Sequence, residues 1–231
     1  MGNYDTIKKQ VYQCNMELQR QKVVISTFGN VSAIDRKAGV IAIKPSGVSY
    51  EQLTAQSIVI VNLDGKVVEG DLRPSSDTKT HLVLYKHFPE IGGVVHTHST
   101  YATAWAQAAK SIPVLGTTHA DYLHQEIPCT DFMTHDMIRG DYEYETGIQI
   151  TNRFQDLSYQ EVEMVLVAGH GPFTWGRTPE KAVFNSVILE ELAKMTLYTL
   201  LINPAVEQLD SALIRKHFQR KHGPEAYYGQ K

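Results

Sequence analysis

Between residues 23 and 68 the chain drops helical periodicity for short apolar runs broken by glycine, and this stretch limits the fold more than any other feature. Val23-Val24-Ile25, Asn30 to Asp35 and Val40 to Lys44 read as β-segments separated by Gly29 and Gly39. Ile58 to Asn62, Asp64-Gly65 and Lys66 to Val68 read as a hairpin, with the Asp-Gly pair expected to take the φ > 0 angles of a type I′ turn. Hairpins of this kind demand antiparallel pairing.

Helical patterns surround this stretch. Ile7, Val11, Cys14 and Leu18 share one face, which predicts a helix from about Asn3 to Arg20. Leu82, Tyr85 and Phe88 predict a helix from Ser76 to Phe88, with Ser75, Ser76 and Asp77 as capping residues. Tyr101 to Ala109, Thr178 to Leu201 and Asp210 to Phe218 read as further helices, the second opened by Thr178, Pro179 and Glu180. Gly92 to His98, Glu163 to Ala168 and Pro172 to Trp175 read as strands. Hairpins interleaved with helices predict an α/β fold, one domain spanning residues 1–231, with a mixed, largely antiparallel sheet covered by helices.

Charge narrows the partners. Lys and Arg number 22 against 25 Asp and Glu, a net charge of −3, so a nucleic-acid or anionic-membrane surface is not expected, while a locally positive pocket for a small anion is. The two cysteines, Cys14 and Cys129, form no CxxC pair and suit a reducing compartment. With no signal-type N-terminus and no apolar run near the ~18–20 residues of a membrane span, a cytoplasmic location is expected.

His96 and His98 stand at i and i+2 on a predicted strand, so both rings face one side, about 6–7 Å apart, and can reach one metal at ~2.0–2.1 Å. An isolated HxH is as readily a half-buried pair. His170, between glycines directly after an apolar strand, adds a third imidazole, and Asp77 is either an oxygen ligand or a plain N-cap. Three histidines with an open position is the catalytic arrangement for zinc, although imidazole suits other divalent metals too. Phe28-Gly29-Asn30, Lys44-Pro45-Ser46-Gly47 and Pro74-Ser75-Ser76 combine small residues, hydroxyls and a lysine in a manner suited to phosphate. Neither GxxxxGK[ST] nor GxGxxG occurs, so nucleotide binding has no support. Asp121 in Gly116-Thr117-Thr118-His119-Ala120-Asp121 reads as a proton-transfer group or a capping acid, and Tyr227-Tyr228 in the tail suggests docking.

These segments, with Thr27 to Ser32, Val95 to Ser99, His170-Gly171-Pro172-Phe173 and Ala226 to Gln230, resemble the L-ribulose-5-phosphate 4-epimerase family of the class II (metal-dependent) aldolase superfamily, from about Val11 to the C-terminus. The resemblance implies a three-layer α/β/α fold and a zinc ion on His96, His98 and His170, with Asp77 on or beside it. It implies that Gly29, Asn30, Ser46, Gly47, Ser75 and Ser76 hold a phosphorylated pentulose with Lys44 nearby. Asp121 and Tyr228 would form the acid/base pair, and Thr117, Glu143 and His217 would support them. Related aldolases carry Glu where this chain has Asp77, which favours the epimerase branch; Ala168-Gly169 before His170 is a local departure. The implied reaction is inversion at C4, by retro-aldol cleavage of C3–C4 and re-addition to the other face, interconverting L-ribulose 5-phosphate and D-xylulose 5-phosphate. Arabinose, ascorbate or other pentulose catabolism could each use it. The implied assembly is a homotetramer with shared active sites, the tail 219–231 carrying Tyr228 across to a neighbour whose chain supplies Asp121. An aldolase that releases its products, and a metal-free scaffold like adducin-type heads, are the competing expectations.

Overall fold

Alternation along the strands decides which helices cover which face of the sheet. In the computed structural model, which describes residues 4–224 and 226–228, β1 (Asn30–Asp35), β2 (Val40–Ile43), β3 (Val59–Asn62), β4 (Val67–Glu69), β5 (Gly93–His96), β6 (Met164–Val167) and β7 (Gly171–Gly176) form one sheet of order β4-β3-β2-β1-β5-β7-β6. Every ladder between these strands is antiparallel; a parallel contact survives as the isolated bridge Cys129–Leu166. Ile41, Ile43, Val59, Val61 and Val94 point to one face, where Leu82, Leu84 and Tyr85 of α2 (Thr78–His87) and Ile150 of α6 (Tyr142–Arg153) cover them. Val31, Ala33, Val40, Ala42 and Val95 point to the other, against Val11, Cys14 and Leu18 of α1 (Asp5–Arg20) and Ala182 and Val183 of α7 (Pro179–Ile202). The result is the three-layer α/β/α arrangement, in which two-sided burial explains why strands such as Val40–Ile43 and Met164–Val167 are continuously apolar.

Four shorter or later helices complete the chain: α3 (Thr100–Gln107), α4 (Thr117–Ala120), α5 (His135–Arg139) and α8 (Ser211–His222). The long helix starts as its sequence dictates, with the Thr178 hydroxyl accepting from the Lys181 N–H and Pro179 in the first turn.

Three local expectations give way. Val23-Val24-Ile25 is not a strand: Lys22 (φ 59°) and Ser26 (φ 55°) are left-handed, and Val23 and Val24 pack on α1 and α7 instead of entering the sheet. The Asp64-Gly65 turn is not type I′, since Gly65 alone of the two has positive φ, 83°. The Asn62 carboxamide accepts from the Asp64 and Lys66 N–H groups and stabilises a longer loop closed by Gly65, followed by a bulge in the β3–β4 ladder. Finally, α2 begins at Thr78, two residues later than expected; its N-cap residue Asp77 makes no side-chain cap bond because that carboxylate is used elsewhere.

Candidate metal and phosphate site

The three histidines meet where β5 ends and the β6–β7 turn folds back over it. His96 is the last residue of β5, opposite Asn30 of β1 and Phe173 of β7, so its ring leaves the sheet at the mouth of the central strands. His98 follows just outside the strand, and His170 sits in the turn, which reverses through Gly169 at φ 72°. Gly171 is required there: a Cβ would lie 2.9 Å from the Thr97 carbonyl oxygen, holding the turn away from His96. Gly29 serves the facing loop, with φ 84° and a position where a Cβ would lie 2.8 Å from the Val24 side chain.

One nitrogen from each of His96, His98 and His170 lies within 4.8 Å of the others, and the Nε2 atoms of His96 and His98 are 3.0 Å apart. Ligands on a tetrahedral zinc at ~2.0–2.1 Å stand about 3.3 Å from one another, so a small adjustment seats the ion. The chemistry of the donors agrees. His96 Nδ1 donates to the Pro172 carbonyl at 2.9 Å, leaving Nε2 as a lone-pair donor, and Phe173 stacks on the same ring at 4.2 Å. Burial, then the neighbouring His96, pushes the His170 pKa down to about 3, and the same causes lower His98, so both rings are neutral ligands at pH 7. The buried Nδ1 of His170 has no partner among the described residues. Three imidazoles and a nearby carboxylate fit a divalent transition metal.

Asp77 lines the same cavity but is not one of the three clustered ligand groups. Its Oδ2 accepts from Asn30 Nδ2 at 2.7 Å and lies 3.4 Å from the Ser75 hydroxyl. Burial alone would raise its pKa; the His96, His81 and His170 rings and the Asn30 bond outweigh burial and lower it, so the group is a carboxylate. Asp77, His81 and Tyr85 recur at i, i+4 and i+8 on α2, facing Asn30 and Ser32 at i and i+2 on β1. Ser32 Oγ pairs with His81 Nδ1 at 2.7 Å and with the Tyr85 hydroxyl at 2.9 Å, so a buried polar row pins α2 to β1 behind the metal site.

The same cavity, of about 400 Å³, is also lined by the small-residue loops with Gly29, Asn30, Lys44, Ser46, Gly47, Ser75 and Ser76, and by Glu143 of α6. Ser46 N–H donates to the Arg73 carbonyl and Ser75 N–H to that of Lys44, so these two amides tie the loops to each other. Lys44 is almost fully buried, and its ammonium donates to the carbonyls of Val48 (2.7 Å) and Thr27 (3.3 Å). Burial depresses its pKa to about 8. Its place is therefore behind the loops, as the cation that orders them.

Thr117, Asp121, His217 and Tyr228 are not among the residues lining this cavity; they gather where α4 meets α8. Asp121 accepts a fork from Arg220 at 3.0 and 2.7 Å and a bond from His217 Nδ1 at 3.0 Å, with Lys221 at 3.6 Å. Burial raises its pKa, but the Arg220 and His217 bonds and the Lys221 charge prevail and lower it. The tail turns back on its own helix: the Tyr227 and Tyr228 N–H groups donate to the Arg220 carbonyl, and Lys221 and Arg220 lie 4.4 and 5.1 Å from the Tyr228 ring centre. Within one chain Arg220 and Lys221 bridge Asp121 and the Tyr228 ring, so the two residues share a cluster. Glu225 and residues 229–231 of the tail lie outside the described residues. Arg220 and Lys221 escape a sequence reading because basic residues at a helix end are ordinarily a solvated cap. Tyr142, which also lines the cavity, escapes it because Gly147 interrupts the helical pattern of α6.

His119 in α4 supplies a pH test. It is buried, its Nε2 donates to the Gln125 carbonyl at 3.2 Å, and burial lowers its pKa from 6.5 to about 4 against the effect of that bond. The unfolded chain takes up this proton near pH 6.5 and the folded chain not until about 4, so its contribution is complete above 6.5 and is lost as pH falls. Urea titrations between pH 7 and 4 are expected to show up to about 3 kcal/mol less acid destabilisation in His119→Gln than in the wild type. Parallel curves would remove His119 from the account.

No helix among the described residues is long and apolar enough to cross a membrane. A sequence model of the Class II Aldolase and Adducin N-terminal domain family matches residues 9–197. The chain is 53% identical over 225 residues to proteins named L-ribulose-5-phosphate 4-epimerase UlaF from Salmonella paratyphi C (strain RKS4594) and Salmonella choleraesuis (strain SC-B67), covering 97% of this chain and 99% of each relative. Its fold is similar to an L-fuculose 1-phosphate aldolase (TM-score 0.77, 23% identity, 95% of this chain and 97% of the other). It is also similar to the l-fuculose-1-phosphate aldolase from Thermus thermophilus (TM-score 0.66, 25% identity, 88% and 98%). Histidine cluster, small-residue loops, sheet order and sequence similarity agree, and the chain belongs to the class II aldolase and adducin N-terminal domain family.

Proposed function

We propose that this protein is a metal-dependent epimerase that interconverts L-ribulose 5-phosphate and D-xylulose 5-phosphate in the cytoplasm by retro-aldol cleavage and re-addition. The observation that carries the proposal is a single cavity lined by both a three-histidine metal site and a small-residue anion cradle, in a chain 53% identical to named epimerases of that substrate. The cradle binds the phosphate: the Gly29, Gly47 and Ser76 backbones and the Ser46 and Ser76 hydroxyls are left to donate, Asn30 orders Ser75, and Lys44 supplies positive charge. A divalent metal, zinc by its ligand chemistry, on His96, His98 and His170 with Asp77 beside it would supply Lewis-acid polarisation of the sugar oxygens.

Inverting C4 needs proton transfer on two faces. Asp121, held ionised, serves as the base, and Tyr228 as the acid on the other face, each worth ~10²–10⁴-fold. Thr117, His217 and Glu143 support them. Because the Asp121–Tyr228 cluster stands apart from the histidine cavity in the same chain, we assign it to the site of a neighbour, in a homotetramer. Incubation with L-ribulose 5-phosphate is expected to give D-xylulose 5-phosphate; accumulation of glycolaldehyde phosphate would make the protein an aldolase instead. Purified protein without stoichiometric divalent metal would favour a scaffold role.

The phosphate assignment has its own test. Ser76 is exposed on the cradle, whereas the Ser75 hydroxyl is engaged by Asn30. Ser76→Asp places a carboxylate against the anion and is expected to raise KM about 10–100-fold with kcat changed much less. An unchanged KM would take residue 76 out of the phosphate site.

A further inference from the structure

Several of the longer polar side chains of the cavity are already engaged. Lys44 is held by backbone carbonyls, Asn30 Nδ2 by Ser75 and Asp77, and the three imidazoles face one another. Tyr142 differs. It lines the cavity with its ring centre 6.1 Å from that of His170, it is 37% exposed, and among the described residues its hydroxyl makes no hydrogen bond.

Its mounting, by contrast, is clamped on both sides. Asp141, the residue before it, pairs with Lys79 at 2.6 Å, and the carbonyl of Glu143, the residue after it, accepts from Thr80 Oγ1 at 2.6 Å. Its own carbonyl accepts from Thr146 Oγ1 at 2.8 Å. One turn on, a Cβ at Gly147 would lie 2.6 Å from Val83, so glycine lets α6 rest directly on α2. Both clamps end on α2, the helix whose N-terminus carries Asp77 and the Ser75-Ser76 loop. A phenol with a fixed backbone and an unspent donor, at set distance from both the metal ligands and the cradle, is preorganised for a ligand oxygen between them. Burial, then Asp77 and Glu143, raises its pKa, so it presents O–H at neutral pH.

We infer that Tyr142 binds the sugar chain, donating a hydrogen bond to a substrate oxygen between the phosphate cradle and His170, and thereby separates sugar phosphates from bare phosphate. The inference deepens the sugar-phosphate reading above and rests on it. Calorimetry on metal-loaded wild type and Tyr142→Phe, with inorganic phosphate and with a pre-equilibrated mixture of L-ribulose 5-phosphate and D-xylulose 5-phosphate as probes, reads binding without net turnover. One neutral hydrogen bond corresponds to up to about tenfold in affinity. The variant is expected to bind the sugar phosphate about tenfold more weakly, with phosphate affinity and metal content unchanged. Equal sugar-phosphate affinity in both proteins would overturn the contact. A parallel loss of both probes would make Tyr142 a support of the cradle and overturn it too. Wild type that binds the sugar-phosphate mixture no better than phosphate would overturn the sugar-phosphate reading itself, and the role of Tyr142 with it.

Discussion

His98→Ala is expected to purify folded, without bound metal, and with activity reduced by about 10³-fold or more, because the Lewis acid is worth several kcal/mol of barrier. His98 lies outside the strand and only half within the protein, so its loss opens no large hole in the core. His96→Ala is expected to lose the metal as well and also some stability, since its ring is buried and stacked on Phe173. A fully buried aromatic truncated to alanine costs about 3–5 kcal/mol, and a ring the size of imidazole less. Elemental analysis alongside thermal melts separates the two effects. Full metal occupancy in both variants would sink the ligand assignment.

The second large effect concerns assembly. Asp121→Asn alone is expected to lower activity by ~10²–10⁴-fold. If the Asp121–Tyr228 cluster of one chain completes the histidine cavity of the next, Asp121→Asn and His98→Ala chains carry complementary defects. After dissociation and reassembly as a mixture, about one site in four would pair an intact cavity with an intact cluster, and activity should return to that share of wild type. The unexchanged mixture is the control. A mixture of Asp121→Asn with Tyr228→Phe should not recover, because both residues belong to one chain's cluster. Confirmed exchange without recovery in the first mixture would confine each site to a single chain.

Local chemistry was legible where one segment suffices. Thr178 and Pro179 open α7 as their side chains require, and Ile7, Val11, Cys14 and Leu18 announce α1. Where the outcome depended on a partner from elsewhere, local spacing did not decide it. Asp77 reads as either an oxygen ligand or a helix cap; it stands at the N-cap position of α2, and Asn30, 47 residues earlier, takes its carboxylate. Lys44 reads as part of a phosphate-suited cluster; that the Thr27 and Val48 carbonyls hold its ammonium was not legible. Val23-Val24-Ile25 has strand composition, yet Val23 and Val24 pack on α1 and α7 and Ile25 is exposed.

Sequence by itself determined the alternation of strands and helices, the antiparallel pairing that short connections impose, and the inventory of three histidines and small-residue loops, because spacing and turn chemistry are properties of neighbouring residues. Tertiary structure alone decided which of those groups share a cavity. His96 and His170 are 74 residues apart and meet because β5 pairs with β7, with Gly171 permitting the approach. It also decided that Asp121 and Tyr228 stand together and away from the metal site. Arg220 and Lys221 on α8 pair with Asp121 beyond α4 and with the Tyr228 ring of the returning tail, and that attraction acts through space rather than along the chain.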